Sequence, residues 1–379
     1  MIEWQEAGVA QAMRWCSPGG VPAPRRVLVA DDTLTADAAC RLACEGTALL
    51  WRGDFQNARQ LLQALARRID RKARAGSRCA AAFPEAFHRK RMAQAQRARI
   101  LGRLLIPFAA GHVIPLRRAP DVRDACVEAL GSSDEARAIP LRELLGLIGA
   151  HEWRRKGVPI AALGGRIHPH YGVFSPVRGE YVALVAEAPL PAAAIGGLAF
   201  DIGAGTGVLA AVLARRGVRR VVATDLDPRA LACARDNVNR LGLSASVEVI
   251  EADLFPPGRA PLIVCNPPWL PGKPASTLEG AVYDPDSRML RGFLAGLASH
   301  LEADGEGWLI LSDLAEHLKL RSRETLLEWI GAAGLKVLAR HDTRPTHPKS
   351  ADPDDPLHAA RAAETSSLWR LRDQKTGDG

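Results

Sequence analysis

Residues 198–207 read LAFDIGAGTG. An apolar run reaches Asp201, and Gly203, Gly205 and Gly207 follow at alternate positions before VLAAVLARRG (208–217). The first part predicts a buried strand. The second predicts a turn whose backbone approaches a ligand beside a helix N-terminus. The dinucleotide fingerprint G-x-G-x-x-G would place its third glycine at 208, where Val208 stands. The pattern here is G-x-G-x-G behind an acid, and Asp201 would repel a phosphate.

Outward from this turn, strands and helices alternate. RRVVATDLD (219–227) predicts the next strand, ending at Asp225, where an acid can accept from ribose hydroxyls. Asp227 precedes Pro228 and reads as a helix cap. ASVEVIEADLF (245–255) predicts a third strand, after which Asp253 can accept from an adenine amino group and Phe255 or Leu254 can cover the ring. Three acids at three successive strand ends fit an adenosine without phosphate. The expected ligand is therefore S-adenosylmethionine rather than a nicotinamide cofactor.

The fourth strand is followed by a different kind of corner. LIVCNPPWLPG (262–272) carries apolar residues into Asn266, Pro267, Pro268 and Trp269. Neither proline can donate to a ladder, so the strand stops there. The bland reading is a proline-rich exit with a buried tryptophan. Its place at a strand end opposite the glycine turn favours a ligand-facing corner, since ligands in such sheets bind at the carboxyl ends of the strands. A helix over 286–305 and the strand EGWLILSD (306–313) follow. LKVLARHD and ETSSLWRLR read as two strands around a polar loop at 343–363, a mobile segment or lid. Regular alternation of this kind means a parallel sheet covered by helices.

These residues resemble class I S-adenosylmethionine-dependent methyltransferases, and more narrowly the methyltransferase small domain group, through DIGAGTG, TDLD, EADLF and NPPW. That group includes ribosomal RNA guanine-N2 methyltransferases and glutamine-N5 methyltransferases of release factors and ribosomal proteins; close relatives modify adenine N6. The resemblance covers about 157–340. It implies an α/β, doubly wound, mostly parallel Rossmann-like sheet with a C-terminal antiparallel hairpin. SPVRGEYVALV is similar to the P-R-x-E-T-E region of the glutamine enzymes, which would make Arg178 and Glu180, beside Pro176, substrate-binding. YGVFS is instead similar to the guanine enzymes.

The resemblance also implies a chemistry: methyl transfer to a planar NH2. The side-chain oxygen of Asn266 and the carbonyl of Pro267 would accept its two N–H bonds, Pro268 would fix the bend and Trp269 would stack on the flat group. The gain is orientation and stabilisation of the positive charge that develops on nitrogen. His168 and His170 near Tyr171 read as hinge packing rather than metal ligands, and no metal is expected.

Residues 1–157 read differently. One strand is predicted at 25–32, then helices over about 35–71, 84–105, 120–131 and 140–157, giving a mainly helical N-terminal domain. A hinge and hairpin linker at 158–196 would join it to a catalytic domain at 197–379. Residues 1–160 hold 26 Lys+Arg against 16 Asp+Glu, and 67–103 hold 12 basic residues against two acids. Such a block is either a solvated helix face or a footprint for a polyanion. The expected partner is RNA or a ribosome-associated substrate, with a translation protein as the alternative. A non-catalytic protein that binds S-adenosylmethionine and RNA is a third reading.

The chain's 379 residues suit two domains. No apolar run approaches the ~18 residues of a membrane span, and the acidic N-terminus is no signal peptide. Seven scattered cysteines without a C-x-x-C pair point to reduced thiols and a cytoplasmic protein.

Overall fold

The computed structural model describes residues 1–76, 82–176, 179–274, 278–345, 352–353 and 355–375. The chain divides into two compact units, Met1–Glu152 and Trp153–Gly379.

The first unit holds more helix than strand, but it is built on a six-stranded sheet, which corrects the expectation of a single strand. The strand order is Ile2–Glu6, Val9–Trp15, Arg137–Pro140, Leu104–Phe108, Ala48–Trp51 and Val27–Ala30. Ile2, Trp4, Val27, Leu50 and Leu105 meet in its core. At Ile2–Glu6 the period-2 signal is present in the sequence, with Ile2 and Trp4 buried and Glu3 and Gln5 exposed. The ALLW and LLIPF strands are buried at every position. Such short apolar runs carry no period that separates strand from helix. Two long helices, Phe55–Gly76 and Glu85–Leu101, carry most of the basic block. Asp54 caps the first, accepting from Gln56 N at 2.8 Å. Arg97 of the second donates to Asp70 of the first at 2.7 Å.

The second unit has a seven-stranded sheet, labelled here β1 (Leu198–Ile202), β2 (Arg220–Asp225), β3 (Val247–Glu251), β4 (Ala260–Cys265), β5 (Leu301–Ser312), β6 (Leu335–Thr343) and β7 (Ser366–Asp373). The order is β3-β2-β1-β4-β5-β7-β6. β1 to β5 pair in parallel, and β7 lies antiparallel to both β5 and β6. This is the expected doubly wound sheet with an antiparallel C-terminal hairpin. β4 is buried at all six positions because both faces are covered. On one face Leu262 and Val264 join Val208, Val212 and Tyr181. On the other Ile263 and Cys265 join Phe293 and Leu297.

Residues 158–196 are integral to this unit. Val158–Ile160 and Gly165–Ile167 form the expected hairpin. The helix Glu180–Glu187 then places Tyr181, Val182 and Val185 in the core. Among the described residues no helix is long and apolar enough to cross a membrane.

Candidate active site

Register brings the sequence motifs together. Ile202 of β1 pairs with Cys265 of β4 and with Thr224 of β2. The next residues along the three strands are Gly203, Asn266 and Asp225, so the three lie in one row at the carboxyl ends of these strands. The strand order reverses between β1 and β4, which opens a crevice at their carboxyl ends.

A cavity of about 660 Å³ occupies that crevice. Gly203, Gly205, Asp225 and Asp227 line one end, and Asn266, Pro267, Pro268 and Trp269 line the other. Gly205 sits at φ +54°, and a Cβ there would meet nothing within 4 Å, so the turn leaves open space beside the cavity. Gly207, at φ +77°, is the N-cap of the helix Val208–Arg215 and packs against Ala234, where a Cβ would lie 3.2 Å from the backbone.

Asp225 shapes this end. Its two carboxylate oxygens accept from Gly205 N and Asp227 N, both at 2.9 Å. Each oxygen keeps lone-pair capacity for a ligand hydroxyl. Asp227 caps the helix Pro228–Arg240, accepting from Arg229 N, and also faces the cavity. Asp201 does not line the cavity. It is buried and accepts from Ala210 N at 2.9 Å, tying β1 to the helix that follows. Burial pushes its carboxyl up to about 7, opposed by the Ala210 N–H and reinforced by the charge of Asp225.

Two expected adenine contacts lie elsewhere. Asp253 is exposed and pairs with Arg288 at 3.3 Å, and Phe255 stacks on His300 with centroids 4.3 Å apart. Neither lines the cavity. Leu254, between them, adopts φ +71° and its carbonyl accepts from Thr224 Oγ1 at 2.6 Å. That kink turns Phe255 inward. Glu180 opens the helix Glu180–Glu187 and also lies off the cavity wall, while Arg178 falls outside the described residues.

The NPPW corner has an internal bond that the sequence does not announce. Trp269 Nε1 donates to Asn266 Oδ1 at 2.9 Å. The wall beyond it comes from Tyr283 and Met289, from Arg361 within the helix His358–Ala363 and from Glu364 at its C-cap. Arg361 was missed because nothing in a polar loop marks which residues turn inward, and Glu364 because it read as the first residue of the following strand. Ser312 acts as a local cap, accepting from Leu314 N, and donates to Glu364 at 2.7 Å. His168 and His170 brace the hairpin exit. His168 Nδ1 lies 2.7 Å from the Arg154 carbonyl, and His170 Nε2 lies 3.1 Å from Asp236. No metal-holding group of three occurs among the described residues.

The lining fits S-adenosylmethionine. Among the described residues its charged members are three acids, Asp225, Asp227 and Glu364, against one base, Arg361. That balance suits a ligand with ribose hydroxyls and a sulfonium cation, and it disfavours a phosphate.

Fold and site together define a Rossmann-like domain with a ligand cavity at its switch point. Residues 164–328 match the model of the methyltransferase small domain family. A ribosomal protein L11 methyltransferase of Pelotomaculum thermopropionicum is 45% identical over 73 residues, 19% of this chain and 24% of that protein. A release factor glutamine methyltransferase of Cereibacter sphaeroides is 35% identical over 146 residues, 37% of this chain and 48% of that protein. A tRNA1(Val) (adenine(37)-N6)-methyltransferase of Bacteroides thetaiotaomicron is 30% identical over 133 residues, 33% and 56% of the two chains. The chain thus spans from about a quarter to just over half of these curated relatives.

Proposed function

We propose that the second unit is an S-adenosylmethionine-dependent N-methyltransferase acting on a planar NH2 of a macromolecule of the translation apparatus, with an RNA base as the acceptor. The observation that carries this reading is one cavity joining Gly205 and Asp225 to Asn266 and Trp269.

Asp225 holds the ribose hydroxyls, with the Gly203–Gly207 turn against the rest of the nucleoside. Bound there, S-adenosylmethionine supplies a sulfonium methyl, whose C–S bond breaks as an N–C bond forms, leaving a neutral thioether and an acidic N–H. Asn266 Oδ1 and the Pro267 carbonyl accept the two N–H bonds of the acceptor group. The nitrogen's conjugated lone pair is weakly nucleophilic, so the corner contributes orientation and stabilises the charge developing on nitrogen. The prolines hold the carbonyl in place, so no reorganisation accompanies the step. Once alkylated, the nitrogen loses its proton to water.

The basic helices Phe55–Gly76 and Glu85–Leu101 support RNA as the acceptor's source, through phosphate contacts. The names of the release factor relatives support a second reading, the glutamine amide of a translation protein. Tritiated methyl transfer into fractionated cell extract separates the two. RNase-sensitive label is expected; label that survives RNase and is lost to protease ends the RNA reading. Calorimetric binding of S-adenosylmethionine with no label in any fraction would leave a binding protein without catalysis. The scattered cysteines support work in the reducing cytoplasm.

A further inference from the structure

We propose that Trp269 is a positioning residue whose indole N–H sets which way the Asn266 amide faces. This rests on the reading of Asn266 as the acceptor of a substrate N–H. An asparagine side chain ends in an oxygen and an NH2 of similar shape on a broad, roughly two-fold torsion. Only one orientation serves the chemistry. With the oxygen forward, the substrate N–H finds an acceptor. With the amide turned over, it meets two donors.

The geometry selects the useful orientation. The indole nitrogen is a donor only, and it bonds Asn266 Oδ1 at 2.9 Å. A turned amide would lose that bond and set donor against donor in a half-buried corner, biasing the two orientations by about tenfold or more. The oxygen has two lone pairs, so one remains for the substrate after the indole takes the other.

Trp269 is itself well placed to hold the bond. Its ring packs against apolar residues on both faces of the sheet, and Pro267 and Pro268 stiffen the three-residue link to Asn266. To leave and stack on an incoming base, the ring would have to break its bond to the catalytic amide. A free stacking platform has no such tether.

The test is Trp269→Phe, which keeps a ring face and removes the N–H, in the full-length protein. Methyl incorporation into the labelled extract fraction is expected to fall about tenfold or more at saturating acceptor. The half-saturating acceptor concentration and the calorimetric affinity for S-adenosylmethionine should stay within about twofold. An unchanged maximal rate, or a raised half-saturation alone, would mean that only the ring face matters and would overturn the proposal.

A second readout needs no acceptor. The protein has eight tryptophans, and the indole N–H cross-peak of Trp269 is the one lost from the 1H–15N spectrum in Trp269→Phe or Trp269→Tyr. That peak should move strongly in Asn266→Ala; an unmoved peak means no bond exists to position anything. Should the aromatic variants fail to fold, the Asn266→Ala spectrum decides by itself, since one indole peak should shift and the others hold. Failure of wild type to bind S-adenosylmethionine would instead remove the methyltransferase reading and leave the spectral test standing.

Discussion

The sheets of Met1–Glu152 and Trp153–Gly379 differ in where their parallel strands lead. In the first, Val27–Ala30, Ala48–Trp51 and Leu104–Phe108 follow one another in space as in sequence, and the neighbour beyond is antiparallel. The winding does not reverse among these three strands, so they form no switch point of the kind seen at β1. In the second, β1 has β2 on one side and β4 on the other, both parallel to it. The winding reverses there, and the loops after three neighbouring strands converge on one space. Acids at strand ends have different work accordingly. Asp32 and Asp54 of the first unit are used within it: Asp32 accepts from Asp54 N at 3.0 Å, and Asp54 takes Arg118 at 2.7 Å. Asp225 of the second orders its own loop and still faces a cavity. The site follows topology here, and the first unit carries the excess of basic residues.

Breaking the comparison at its strongest point means removing the corner. Asn266→Ala should lower turnover by about 100-fold or more, since it deletes the proposed acceptor for the developing charge. Affinity for S-adenosylmethionine, measured by calorimetry, should hold, because the cofactor end is built on β1 and β2. Retained turnover would sink the mechanism. The next largest effect belongs to that other end. Asp225→Ala removes the acceptor of two backbone N–H groups as well as the proposed ribose contact, and bonds to a charged group contribute roughly 1.5–3 kcal/mol. Affinity for S-adenosylmethionine should fall about 10- to 100-fold by titration, and unchanged affinity would move the ribose elsewhere.

The second unit was legible in its sequence because its signals are local and its topology is regular. DIGAGTG, TDLD and NPPW each sit at a strand end, and parallel alternation alone places those ends together. That Asp253 and Phe255 stand off the cavity wall was not legible, because the kink at Leu254, at φ +71°, is a backbone event with no glycine to mark it. The Trp269 bond was invisible because a side-chain hydrogen bond three residues long has no pattern. In the first unit, buried four-residue strands were absorbed into neighbouring helical spacings. Leu49 and Leu50 fit a helix face on paper and lie in a strand flanked by parallel partners.

The comparison sharpens at Asp201, a strand-end acid that serves the fold. Its carboxyl stands at about 7 in the folded chain against an ordinary value of 3.8, burial being the main cause. Between those values the folded state holds a proton that the unfolded state has lost. Stability from this group therefore falls as pH rises towards 7 and is level above it. Asp201→Asn should keep an oxygen for Ala210 N and shed that dependence. Its stability relative to wild type, read from denaturant midpoints, should improve by about 2 kcal/mol from pH 5 to pH 8. A constant difference across that range would mean that Asp201 titrates as an ordinary carboxylate.

The smallest expected effect tests what the first unit contributes. Arg67, Arg71 and Arg99 are exposed on the two long basic helices. If these helices meet phosphates, each contact to single-stranded RNA adds ~0.7 to the slope of log affinity against log salt. Reversing all three to Glu should lower the slope for total cellular RNA by about 2 and weaken binding about tenfold near 0.15 M salt. Affinity for S-adenosylmethionine should not move, because that site lies wholly within the second unit. RNA binding with an unaltered slope would reduce the basic block to a solvated helix face. The proposal would then shift to the glutamine acceptor, for which a charged docking surface is not required.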